Sequence, residues 1–238
     1  MIRLIIPCSF YAALLGRWRY SLLTGTLTTT LQVAQRVYSL AQEQTDSALM
    51  IGAYHALAGT LYFIGDFETA RRYAEHGVHL WRAGGVQSHA EEVFAPIVAC
   101  LFYGALSEWH LGQIASCKAI MARAISLAKE PHDTYTLAVA LWHAAVLGHL
   151  ERNPAGVERL ASDLIELSTR QTFAFCLSGG KVLRGMGAQR FRQYSGRYRL
   201  DRGRNPRLSG NRLDAAPALF SRSKGRSFAL WGLYLRGA

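Results

Sequence analysis

Few residues in this chain have types and spacings that could do chemistry. His76 and His79 stand one helical turn apart with Glu75 beside them, and two imidazoles so placed can reach one ion. No cysteine or third histidine lies at ligand spacing, so the expected role is a solvated helix face, with no metal. His143 and His149 are six apart and do not share a helical face. No serine or cysteine sits in a nucleophile motif such as GxSxG. The run SGGKV at 178–182 has the Gly-Lys of a phosphate-binding loop but lacks its upstream Gly and its following Ser or Thr. Glu91 and Glu92 read as first-turn residues of a helix, where the dipole favours carboxylates. The four cysteines (Cys8, Cys100, Cys117, Cys176) form no CxxC pair. Three of them fall on apolar helical faces, where a free thiol behaves as a small hydrophobe, which suits a reducing cytoplasm. The expectation is no catalytic residue and no cofactor.

Any surface the chain offers must be positioned by helices. The stretch 53–78, AYHALAGTLYFIGDFETARRYAEHGV, holds two amphipathic patterns around a Gly-Asp break. Tyr54, Leu57, Ala58, Leu61 and Tyr62 recur at helical spacing before it, and Ala70, Tyr73, Ala74, Gly77 and Val78 after it. Gly65 tolerates a left-handed helix end and Asp66 can cap the next helix. Small residues at Ala58, Ala70 and Gly77 allow close approach, as in the antiparallel helix pair of tetratricopeptide type. The turn recurs: Gly25 lies 40 residues before Gly65, Gly112 lies 47 after it, and Arg152 lies 40 after that. Ala34 and Val37 follow the first turn, Cys117, Met121 and Ala124 the third, and Val157, Ala161 and Leu164 the fourth. Gly84-Gly85-Val86-Gln87-Ser88 accounts for the longer step as an extended loop, and Pro96, Pro131 and Pro154 fall at helix boundaries. Helices are expected at about 10–23, 28–43, 48–64, 67–82, 91–111, 114–128, 134–150, 155–169 and 172–187, with no strand. The fold class is all-α: an α-solenoid of about four and a half hairpins over 10–188.

In such an array the first helix of each hairpin lines a concave groove. The groove positions fall on Arg19, on His55 and Tyr62, on Phe102 and Trp109, and on Trp142 and His149. Aromatic side chains with a few polar edges suit capture of a protein or peptide segment. The competing expectation is that Trp109 and Trp142 pack inside the stack.

Residues from about Leu14 to Met186 resemble the tetratricopeptide region at the C-terminal end of large bacterial signalling proteins. Those proteins join a nucleotide cyclase or protein kinase domain to a P-loop ATPase. LLGRWRYSLLTG at 14–25, ALAGTLYFIGDFETARRYAEHGV at 56–78, LSEWHLGQIASCKAIMARAISLAKE at 106–130 and ERLASDLIELSTRQTFAF at 158–175 carry the likeness. This chain has neither cyclase nor ATPase sequence. The resemblance therefore implies a detached interaction or scaffold fragment, with an upstream cyclase or ATPase as a possible companion and no catalytic residue to inherit. A second function it implies is regulation of such an enzyme.

Half of the chain is apolar, which excludes general disorder. No uninterrupted apolar run reaches about 18 residues, so no membrane span is expected. Met1 to Leu15 is apolar, but Pro7 breaks it and a helical pattern continues beyond, against a signal peptide. The net charge of +11 is local: residues 1–188 carry 15 Lys and Arg against 14 Asp and Glu, and residues 189–238 carry 12 against 2. Helical periodicity stops just before Arg192, where a fifth turn is due. Back-translating Arg192 to Phe228 one base later permits an acidic, amphipathic string that opens with glycine. The expectation is a frameshift near residue 190 and a low-order basic tail that was never selected to fold. The rival is a nucleic-acid-binding tail, with arginine and tyrosine interleaved in RFRQYSGRYRLDRGR.

Overall fold

The computed structural model describes residues 8–44, 46–84, 95–130 and 133–188. Their regular structure is entirely helical. The helices are α1 (Cys8–Leu23), α2 (Leu27–Gln44), α3 (Ser47–Ile64), α4 (Phe67–Gly84), α5 (Pro96–His110), α6 (Ile114–Lys129), α7 (Thr134–Leu150) and α8 (Pro154–Arg170). A ninth, α9, runs over 174–188. The expected boundaries agree to within about two residues except at α5. That helix begins at Pro96, whose ring is accommodated in the first turn. The rest of its expected start, 91–94, lies outside the described residues, as do Gly85 to Ser88, Pro131 and the whole tail with its frameshift and nucleic-acid readings.

Four hairpins share one turn. Gly25, Gly65, Gly112 and Arg152 all have positive φ, at 77°, 94°, 84° and 57°. After each, the next amide donates back to the carbonyl five residues earlier: Thr26 to Ser21 at 3.2 Å, Asp66 to Leu61 at 3.0 Å, Gln113 to Glu108 at 2.9 Å and Asn153 to Gly148 at 2.9 Å. That closure satisfies carbonyls the helix end would leave bare. Thr172, at φ 57°, closes α8 the same way, with Phe173 donating to Ser168.

The even helices also share one register. The buried places they have in common are Thr30, Ala34, Val37 and Ala41 in α2, Ala70, Ala74 and Gly77 in α4, Cys117, Met121, Ala124 and Ala128 in α6, and Val157, Ala161, Leu164 and Ser168 in α8, with Val33 and Leu40 of α2 and Leu167 of α8 buried beside them. Measured from each turn residue these are the same places, spaced four, three and four apart. A single stripe at that spacing buries one face of a helix and leaves the rest to water. The odd helices differ. α5 buries every residue from Pro96 to Glu108, and α7 nearly all from Thr136 to Gly148. They lie between neighbours: each of α3, α5 and α7 packs on the even helices before and after it, and α1, α3, α5 and α7 pack in succession. The result is a two-layer, repeat-like stack of helical hairpins.

Close approach depends on missing side chains at a few places. A Cβ at Gly77 would stand 2.7 Å from the Cys100 sulfur, and one at Gly179 would stand 2.5 Å from the Trp142 ring. The Gly-Gly of SGGKV is thus a packing surface, seating α9 on α7 through Gly179 and on Ile165 of α8 through Gly180. α3 is apolar and long enough to satisfy the composition test for a membrane span, with mean hydropathy 1.3, and 61% of it is buried inside the protein.

Candidate functional site

All five odd helices contribute to one recess. α1 supplies Trp18, Arg19, Leu22 and Leu23, and α3 supplies His55 and Phe63. α5 supplies Phe102 and Tyr103, α7 supplies Tyr135, Val139, Trp142 and His143, and α9 supplies Phe175 and Cys176. α1 and α9 can share a recess because the odd layer curves around it.

Buried hydrogen bonds and ring contacts fix the walls. The Trp18 indole N–H donates to Thr60 Oγ1 at 2.8 Å, and the Thr60 hydroxyl donates to the Ala56 carbonyl at 2.7 Å. This chain ties α1 to α3 and leaves the Trp18 ring edge-on to His55, with centroids 4.9 Å apart. His55 in turn stacks on Tyr103. His143 lies flat on Phe102, with centroids 3.6 Å apart and planes 14° from parallel. Its Nδ1 sits 2.8 Å from the Val139 carbonyl, which can only accept, so Nδ1 carries the proton in the neutral ring. Trp142 meets Phe175 at 4.9 Å.

Burial dominates the electrostatics. It drives the His55 pKa well below the ordinary range, helped by the nearby Arg19 charge and by His143. It lowers His143 to about 4, against the opposing hydrogen bond to Val139. Both imidazoles are neutral at pH 7. Burial pushes Cys176 up to about 11, opposed by the Tyr135 hydroxyl bonded to it, so this thiol stays protonated. Burial raises Tyr103 and Tyr135 as well, and Arg19 opposes the rise at both. No carboxylate stands among the described lining residues. The arrangement can hold apolar, planar groups beside one guanidinium.

Of the expected groove residues, Arg19, His55, Phe102 and Trp142 line this recess, and Tyr62, Trp109 and His149 do not. His55, Phe102 and Trp142 each stand ten residues before their turn, whereas Tyr62, Trp109 and His149 stand three before it. The seven residues between them span about 10 Å of helix, enough to carry the second set past the recess. Tyr62 is buried against Tyr103 and Phe67, with its hydroxyl 3.4 Å from His110 Nε2. Trp109 is half-buried, edge-on to His110 at 5.0 Å. Trp142 is both a packed residue, 5% exposed, and a wall of the recess. Sequence reasoning missed Trp18, Tyr103 and His143, each adjacent in sequence to a groove residue it named, and Phe175.

His76 and His79 lie on the exposed side of α4, and the Glu75 carboxylate pairs with Arg71 at 2.5 Å. No cluster of three or more metal-ligating side chains occurs among the described residues. No family model and no curated protein matches the chain.

Proposed function

We propose that the chain is a non-catalytic protein-interaction module: a tetratricopeptide-like α-solenoid serving as the sensory or scaffold part of a cytoplasmic bacterial signalling system. The shared turn, the shared register of the even helices and the glycine interlocks support the repeat reading. The interaction reading rests on one observation. The curved odd layer gathers an aromatic recess, and large apolar side chains stand at its rim, Leu23 being 41% and Phe175 44% exposed. Rings already held by packing bury area on a partner at small entropic cost. The small recess serves as an anchor point, while the rest of the odd-layer face supplies contact area.

A photo-crosslinking amino acid placed at Leu23 or Phe175, and at the exposed even-layer positions Arg36 or Arg159 as controls, tests this in bacterial cells. Discrete protein adducts from the rim positions and not from the controls are expected. Adducts from the even layer alone, or from neither, would refute it.

A further inference from the structure

The recess has a chemistry that capture of a protein partner leaves unexplained. Its volume is about 140 Å³, well under the roughly 300–1,000 Å³ of pockets for drug-sized ligands. A dry apolar cavity of roughly 150 Å³ holds one benzene ring. The walls here suit a guest of that size. Trp18 and Leu22 of α1, Tyr103 of α5, Val139 of α7 and Phe175 of α9 line the space with ring and aliphatic carbon. Two of these rings are fixed by contacts of their own, Trp18 through its bond to Thr60 and Tyr103 through the stack with His55. Aromatic guests gain from offset or edge-to-face contact with such rings beyond simple burial.

One atom on the walls selects among single-ring guests. His143 lines the recess, stacked flat on Phe102. Its Nδ1–H donates to the Val139 carbonyl, so Nε2 carries a lone pair and no proton. Among the described residues no hydrogen bond to Nε2 is formed. Burial keeps the imidazole neutral at pH 7, so the lone pair stays available to a donor. The stack and the Nδ1 bond together hold the ring plane, and the acceptor is set before any guest arrives. A hydroxyl or N–H on the guest can be met there. A neutral guest also leaves water at the smallest cost, because most of the described lining is carbon.

The geometry points to a binding site for a small neutral aromatic molecule with one hydroxyl or N–H donor, its ring among the walls of α1, α5 and α9 and its donor on Nε2 of His143. Such a ligand can occupy the recess whether or not a partner docks on the same face, so the site stands apart from the protein-interaction reading. The probes are phenol and toluene, rings of nearly equal size that differ in the donor, titrated calorimetrically into the full-length chain at pH 7. In a recess without an acceptor, phenol would bind at least about tenfold weaker than toluene, because its hydroxyl would be buried unpaired. In the wild-type protein phenol is expected to bind within about fivefold of toluene, or tighter. His143→Phe keeps a flat ring and removes the acceptor, so toluene affinity should hold within about twofold while phenol weakens by at least about fivefold. Phe175→Ala, at the exposed rim, should weaken both probes by about threefold. Circular dichroism reports on the folding of each variant. If His143→Phe does not fold, the wild-type pair and Phe175→Ala decide alone. Wild-type phenol weaker than toluene by more than about fivefold, a His143→Phe loss no greater for phenol than for toluene, a Phe175→Ala variant that binds both unchanged, or no binding of either probe at about 1 mM would overturn the assignment.

Discussion

Gly77 is where the interlock of the two layers can be tested most sharply. It sits in the buried stripe of α4, facing Cys100 at the heart of α5. A Cβ built there would lie 2.7 Å from the Cys100 sulfur, 3.4 Å from the Tyr54 Cβ and 3.5 Å from the Cys100 Cβ. Non-bonded heavy atoms prefer roughly 3.5–4.0 Å, so the first distance overlaps by about 1 Å and the other two are ordinary contacts. Cys100 is fully buried with its sulfur against the Ile51 carbonyl, so it has little room to yield. Overpacking of this kind costs about 1–3 kcal/mol, while replacing glycine by alanine inside a helix returns about 1 kcal/mol. Gly77→Ala should therefore destabilise the protein by about 1 kcal/mol. In a Cys100→Ala background the offending atom is gone, and the same change should stabilise by about 1 kcal/mol. The sign reverses, and the coupling is about 2 kcal/mol. Urea unfolding of the four proteins, followed by circular dichroism, measures it. A stabilising Gly77→Ala in the wild-type background, or a coupling below about 0.5 kcal/mol, would refute this packing of α4 on α5.

Three further outcomes are expected. Arg152 holds a left-handed conformation without being glycine, so Arg152→Gly should relieve about 1–2 kcal/mol of backbone strain, lose part of it to unfolded-state entropy, and raise the melting temperature by about 2 °C; an unchanged or lower value contradicts the turn geometry. Thr60→Val keeps the side chain's shape but leaves the buried Trp18 N–H without its acceptor, which should cost about 1–3 kcal/mol in the same unfolding assay, whereas a neutral effect would mean that α1 is not tied to α3 by this bond. His143 titrates near 4 when folded and near 6.5 when unfolded; the unfolded form takes up its proton first as pH falls, so its contribution is full above 6.5, declines by about 3 kcal/mol on the way down to 4 and is level below, His55 adds a second decline of the same sign, and His143→Phe should remove His143's share, reducing the slope in urea midpoints measured across that range without abolishing it.

Much of the fold was legible because two local rules repeat. A helix that ends in a left-handed residue selects glycine, and three of the four hairpin turns obey. The fourth carries Arg152, which spacing located although residue type could not, and its φ of 57° matches the glycines. The even helices were equally readable, since a helix with one side to water must write its buried face into the sequence at helical spacing. The Gly-Gly at 179–180 was less readable. The sequence excludes a phosphate loop there, but a glycine needed for close contact with a tryptophan nearly forty residues away leaves no local signature.

The site was half legible for a physical reason that also shapes what it can bind. The odd helices touch neighbours on nearly every side, so apolar residues run through α5 and α7 almost without interruption and no periodicity marks the side that faces the recess. A repeat-derived numbering found His55, Phe102 and Trp142 because it fixes position along each helix relative to the turn. It could not find Phe175, whose place at the rim depends on how far the odd layer curves before α9 arrives. Curvature sums small offsets over all the hairpins, and no stretch of sequence shorter than the array encodes it. The same curvature brings Arg19 of α1 within electrostatic reach of Tyr135 of α7. The recess is thus a property of the assembled array, and a change in hairpin spacing anywhere between α1 and α9 alters it.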